Sequence, residues 1–203
     1  MDDGGWNRDY RQRGRLYGGG ARLPPLPDGA RVLELGCGDG RTLAALGALP
    51  YTAVGLDRAP AALALCRPPT GGPPPLLVCG DARRLPFRDR SFDAVLLLHV
   101  LGHGRAADRR SMAEEAVRVT APGGRLHLRV FSREDLRADT GLEVEEGSRL
   151  RRTGVLTHYF TEDEAAALFP SCRPLRLETV RWDLRVRGAP LPRAEIEADF
   201  ELR

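Results

Sequence analysis

The sequence of 203 residues predicts one α/β domain built on a doubly wound, mostly parallel sheet. Two observations carry that prediction. Short apolar runs alternate with helix-compatible segments over about a hundred residues, and the runs end on polar side chains: Glu34, Asp57, Asp81 and His99. The first run, RVLEL, opens directly into Gly36-x-Gly38-x-Gly40. In such a sheet the crossovers are right-handed and ligands bind beyond the carboxyl ends of the strands, where these polar residues fall.

Residues 1–28 read as a lead-in rather than a domain. An aromatic and arginine-rich start (Trp6, Tyr10, Arg11, Arg13, Arg15, Tyr17) meets a Gly18-Gly19-Gly20 hinge and then Pro24-Pro25-x-Pro27. Two readings stand: the aromatics dock on the core, or Tyr10 and Tyr17 close as a lid over a ligand at the glycine loop. The domain proper is then expected over 29–203.

Val32, Leu33 and Leu35 suit a strand covered on both faces, and glycines at alternate positions permit the positive φ angles of a tight strand-to-helix turn. The bare loop then offers backbone N–H groups at a helix N-terminus to a polar cofactor. A short helix over Thr42–Leu49 stops at Pro50. TAVGLD is the second strand, and Ala59–Cys66 a second short helix. PPTGGPPP is a loop by composition, LLVCGD a third strand, and SFDAVLLLHV a fourth. Ala106–Thr120 places Met112, Ala116 and Val119 on one helical face before APGG, and Gly124–Phe131 is the fifth strand.

Beyond Ser132 the pattern changes. Arg149, Arg151 and Arg152 interleave with Glu143, Glu145 and Glu146, which predicts a solvated hairpin and argues against a groove that tracks phosphates. Residues 132–160 lie between the fifth strand and the last helix, where they can form one wall of an acceptor pocket. Thr161 followed by Glu164 is a capping box that starts that helix. Two strand-like runs, Leu175–Val186 and Ala194–Leu202, joined through GAPLP, predict an antiparallel hairpin at the sheet edge.

Composition bounds the function. Hydrophobic residues at 42% and charged residues at 29% are ordinary for a globular protein, and the net charge of +3 alone implies no nucleic-acid partner. The longest apolar run is far too short to span a bilayer, so no membrane partner is expected. The opening MDDGGWNRDY has no charged-then-apolar leader, and the four cysteines contain no C-x-x-C pair. A reducing, cytoplasmic setting without a structural metal is the expectation.

A dinucleotide fingerprint needs a glycine at the sixth place, where Arg41-Thr42 stand instead, and a P-loop needs a lysine, which the chain lacks entirely. ELGCGDG, the acidic Asp57, GDARRLPF, FDAVLLLHVLGH and APGGRLHLRVF resemble, in order, the successive motifs of class I S-adenosylmethionine-dependent methyltransferases. The resemblance covers roughly Arg31 to Phe131. It implies a Rossmann-like seven-stranded sheet and an enzyme that consumes S-adenosylmethionine and releases S-adenosylhomocysteine.

By that resemblance, the loop Gly36, Cys37, Gly38 and Gly40 holds the methionine end, and Glu34 anchors the loop or the cofactor's amino group through water. Asp57 accepts from both ribose hydroxyls; it stands about 20 residues after Gly36, the spacing used for ribose recognition in related sheets. Its alternative role is to cap the helix that follows. Asp81 contacts the adenine amino group, Ala82 offers its N–H to the ring, and Leu56, Arg58 and Leu85 flank it. His99 opens onto the methyl group.

Methyl transfer by in-line displacement is chiefly a problem of alignment, with a base added where the acceptor carries a proton. His99 and His158 are the candidate bases; the alternative gives His99 to the cofactor and His158 to packing. Tyr10, Tyr17, His103, His158 and Tyr159 are the candidate acceptor contacts. A small-molecule acceptor is the first reading. A tRNA or protein acceptor is the second, supported by the arginine-rich start and the YFT-x-x-E stretch. A non-catalytic cofactor-binding partner or sensor is a third, of a different class.

Overall fold

The computed structural model describes residues 5–16, 21–67, 74–186 and 188–203; Tyr17 and the Gly18–Gly20 hinge lie outside the described residues. In chain order the elements are α1 (Trp6–Arg13), β1 (Arg31–Leu35), α2 (Arg41–Leu46), β2 (Thr52–Asp57), α3 (Pro60–Leu63), β3 (Leu76–Cys79) and β4 (Phe92–Leu98). Then come α4 (Ala106–Val119), β5 (Thr120–Phe131), β6 (Leu142–Glu145), β7 (Ser148–Leu150), β8 (Leu156–His158), α5 (Glu162–Ala167), β9 (Cys172–Val186) and β10 (Ala189–Leu202).

Seven strands form one sheet in the order β3-β2-β1-β4-β5-β10-β9. β1 to β5 pair in parallel, and β10 and β9 add antiparallel at the edge. The strand order reverses at β1, which lies between β2 and β4, so the crevice opens at the carboxyl ends of those strands. Both faces of the central strands are covered, as the continuous apolar runs require. Leu33, Leu35, Val95 and Leu97 pack toward Met112, Ala113 and Ala116 of α4, while Val32, Ala94 and Leu96 pack toward Leu43 and Leu46 of α2.

The period of two continues into the edge strands with a different outcome. Leu126, Leu128, Val130, Ile196, Ala198 and Phe200 join the core on one face. On the other, Arg125 pairs with Glu201, His127 with Asp199, and Arg129 with Glu195 and Glu197. A charge ladder therefore runs across this half of the sheet.

Two segments differ from the sequence reading. The expected solvated hairpin after Ser132 is a three-stranded antiparallel sheet, β6-β7-β8, because the residues before His158 pair back onto β7. In the tail, β10 starts at Ala189 instead of Ala194, so GAPLP is largely strand rather than connection. Pro190 and Pro192 are tolerated because β5 opposes β10 only from Glu195 onward, and the prolines' missing N–H groups remove no bond to it.

Candidate active site

The glycine loop leaves β1 with Gly36, Gly38 and Gly40 at φ of 69°, 55° and 80°, the left-handed region that the alternate glycines supply. Its donors turn inward. Gly36 and Cys37 N–H both donate to Leu56 O, at 2.7 and 3.1 Å, and Gly40 N–H donates to Cys37 O at 3.0 Å. Gly38 N–H donates to Asp57 Oδ2 at 2.8 Å. Three of these donors lock the loop to β2, and the fourth, Gly40, closes a turn within the loop, so these N–H groups are bonded internally.

Asp57 joins the loop to α3. Its Oδ1 accepts from Ala59 N–H at 2.8 Å, immediately before the helix, while Oδ2 takes Gly38. Burial raises its pKa, against the backbone donors, which lower it. The Arg58 backbone also donates to this carboxylate. A carboxylate has about four lone-pair sites, so three bonded donors leave it able to accept about one more. Glu34, on β1, is buried, and its Oε2 has no hydrogen-bond partner among the described residues. Burial pushes its pKa up to about 8, with the Thr42 hydrogen bond opposing. Asp39 Oδ2 is likewise buried without a partner.

His99 follows β4 with φ of 64°, a conformation rare outside glycine and held here by its backbone N–H donating to Arg129 O at 2.7 Å. The ring lies on Phe131, with centroids 4.6 Å apart, and its Nε2 is 3.4 Å from Glu195 Oε2.

Residues 33–128 match the methyltransferase domain family. Over 90% of its length the chain superposes on 99% of a Methanosarcina mazei S-adenosylmethionine-dependent methyltransferase, with a TM-score of 0.70 and 24% identity. Residues 33–128 thus resemble a methyltransferase domain, and the chain has the fold of class I S-adenosylmethionine-dependent methyltransferases. It is also 35% identical over 113 residues to the tRNA (carboxymethyluridine(34)-5-O)-methyltransferase ALKBH8 of Macaca fascicularis, matching 55% of this chain but 16% of that protein. It is 49% identical over 61 residues to the demethylmenaquinone methyltransferase of Mycobacterium sp. (strain KMS), or 30% of this chain and 26% of that one. The chain thus spans a minor part of the length of both curated relatives.

The residues present fit the family's cofactor. Asp57 keeps acceptor capacity for a ribose hydroxyl, and Asp39 offers a cationic amino group a buried carboxylate oxygen without a partner among the described residues; Glu34, raised to about 8 by burial, would release its proton to join it. Asp81 lies just past β3 and is held by Arg83, whose Nη2 is 2.6 Å from Oδ2 and which also reaches Asp108 at 2.7 Å. Arg83 draws the Asp81 pKa down against burial. Arg58 lies close enough to lower both Asp57 and Asp81. Ala82, Leu85 and Leu56 are buried together in the core on the α4 side.

The other expected site residues are engaged by the protein itself: Tyr10, His158 and Tyr159 are buried, and His103 is half-buried. Tyr10, on α1, is buried, and a Cβ at Gly38 would meet its hydroxyl at 2.5 Å, so α1 sits directly on the loop. Asn7 Oδ1 accepts from Ala61 N–H at 3.0 Å and ties α1 to α3. His103 Nδ1 is 2.7 Å from Leu156 O, with Trp6 against the ring at 4.8 Å, and burial lowers its pKa to about 4. His158 Nδ1 is 2.8 Å from Ser148 Oγ and its Nε2 is 3.8 Å from Glu164; burial lowers it to about 4. Tyr159 is fully buried, with its hydroxyl accepting from Arg151 at 2.9 Å.

Sequence reasoning missed Glu195, Phe131 and Asn7. The alternation of acidic with apolar residues from Ala194 to Leu202 was the available signal for Glu195. Nothing local paired it with His99.

Proposed function

We propose that this methyltransferase binds S-adenosylmethionine over the loop from Gly36 to Gly40 and methylates a small-molecule acceptor. The observation that carries the binding reading is the Asp57 carboxylate, locked to the loop by Gly38 and keeping, beyond its backbone donors, a lone-pair site for a ribose hydroxyl. Asp57 would hold the ribose, Glu34 and Asp39 the amino group, and Asp81 with Ala82 the adenine edge. When bound, the cofactor supplies an electrophilic methyl on a sulfonium. The chain's own work is to align the acceptor and, where the acceptor carries a proton, to receive it. We assign that proton to His99 rather than His158. A histidine held near 4 by burial is a weak base, and both His158 nitrogens face Ser148 and Glu164.

An RNA acceptor is the second reading. It is supported by the likeness to ALKBH8 over 55% of this chain and by the exposed Arg8, Arg11, Arg13 and Arg15 on and beside the helix that sits on the loop. The free cysteines and the absence, among the described residues, of a helix long and apolar enough to cross a membrane support a cytoplasmic setting.

The test has two parts. Calorimetry with S-adenosylmethionine should show binding that Asp57→Ala weakens. Labelled-methyl transfer into extract separated into small-molecule, RNA and protein fractions should place the label in the first. Label in RNA selects the second reading. Tight binding with no incorporation in any fraction overturns the enzyme reading in favour of a sensor or partner protein.

A further inference from the structure

We infer that Glu195 is a positioning residue for His99: its carboxylate accepts the His99 Nε2–H and leaves Nδ1 as the nitrogen that carries the lone pair. The inference rests on the reading of His99 as the proton acceptor and adds the group that orients it.

The arrangement is built by sheet register. Phe131 ends β5, and its direct partner on β10 is Glu195. The ring that His99 lies on and the carboxylate that His99 faces are therefore delivered side by side by one cross-strand pair. The left-handed backbone at His99 turns the side chain onto that pair.

The charges around the pair divide cleanly. Glu195 Oε1 lies 3.2 Å from Arg22 and 3.4 Å from Arg129, while Oε2 faces His99 at 3.4 Å. Both arginines also have Glu197, with Arg129 at 3.2 Å from it, so they do not depend on Glu195 alone. Burial would raise the Glu195 pKa, but His99, Arg129 and Arg22 together hold it low, and the carboxylate remains an anion. His103, on the turn after β4, is also in electrostatic reach of His99, and Arg137 and Arg193 lie on the Phe131 ring. His99 Nδ1 is buried and has no hydrogen-bond partner among the described residues.

A carboxylate on one imidazole nitrogen fixes the tautomer and stabilises the imidazolium formed when the other nitrogen takes a proton. In this site the proton leaving the acceptor would reside on Nδ1 with the Glu195 carboxylate balancing the charge, and would leave once departure of the methylated product opens Nδ1 to water.

Nitrogen NMR of the 15N-labelled full chain reads the tautomer without any acceptor, with the His99 signals assigned by His99→Gln. The expected result is protonated Nε2 and pyridine-like Nδ1 in the wild type. The opposite tautomer overturns the inference whatever the catalytic outcome. In the methyl-transfer assay, Glu195→Gln should lower kcat about tenfold with KM for S-adenosylmethionine within twofold, and Glu195→Asp should recover part of it. The double variant with His99→Gln should be no slower than His99→Gln alone. An additive loss in the double variant assigns Glu195 to Arg22 and Arg129 instead. If no fraction accepts methyl, the NMR result still decides the tautomer, so failure of the enzyme reading and failure of the positioning role are told apart.

Discussion

Gly38 and Asp57 close the glycine loop onto β2: the Gly38 N–H donates to Asp57 Oδ2 at 2.8 Å, and the same carboxylate takes Ala59 N–H through Oδ1. One side chain thus organises the loop and starts α3. Asp57→Ala should weaken S-adenosylmethionine by about 2–3 kcal/mol, the scale of losing charge-assisted hydrogen bonds at a partly buried site. It should also lower the stability of the free protein, because the backbone donors of Gly38, Arg58 and Ala59 lose their acceptor. Calorimetry and denaturant unfolding separate the two effects, and unchanged affinity would remove Asp57 from the site.

Gly36 tests the loop from the other side. A Cβ there would lie 2.7 Å from Val100 Cγ2, and the φ of 69° disfavours any L side chain. Gly36→Ala should cost about 2–3 kcal/mol, from steric overlap and backbone strain together. Adding Val100→Ala should recover the steric part only. Full recovery in urea melts would show that the left-handed backbone costs nothing here.

The central sheet was legible in the sequence because its signals are local. Apolar runs, a glycine turn and a carboxylate at the ends of the first three strands lie within a few residues of one another, and the structure places those strands as read. What was not legible depends on pairing across distance. Phe131 and Glu195 meet only because β10 runs antiparallel to β5, and Ser148 meets His158 only because β7 folds back onto β8. Alternating charge in β10 announced a strand without saying which residue each acid would face. The inward-turned loop donors were illegible for a related reason: glycine spacing sets where the backbone can turn, while the acceptor Leu56 O belongs to another strand.

The Thr161 cap was readable from four residues, and its energy can be measured simply. Thr161 Oγ1 accepts from Glu164 N–H at 3.2 Å, and Glu164 Oε2 accepts from Thr161 N–H at 2.8 Å. Thr161→Ala should destabilise by about 1 kcal/mol. Glu164→Ala should cost more, since that side chain also receives Arg133 at 2.7 Å and faces His158. Equal losses in chemical denaturation would show that the cap outweighs the Arg133 pair.

Three buried groups set the shape of stability against pH. Glu34 is raised from 4.5 to about 8 by burial, so its folded form holds a proton that the unfolded chain releases. Its contribution is fully present below about pH 4.5 and is lost as pH rises toward 8. His103 and His158 are lowered from 6.5 to about 4, again by burial. Their contribution is present above about pH 6.5 and is lost as pH falls toward 4. Between those limits two histidines gain while one glutamate loses, at no more than about 1.4 kcal/mol per pH unit each, and above 6.5 only the glutamate changes. The three together place the maximum near pH 6.5. Glu34→Gln should leave stability near pH 5 little changed and raise it at pH 8 by about 2–4 kcal/mol, moving the maximum upward. His158→Gln should flatten the acid side without altering the alkaline side. Urea melts from pH 4 to 9 check both, and a Glu34→Gln curve parallel to the wild type would mean that Glu34 is ionised in the folded protein at neutral pH.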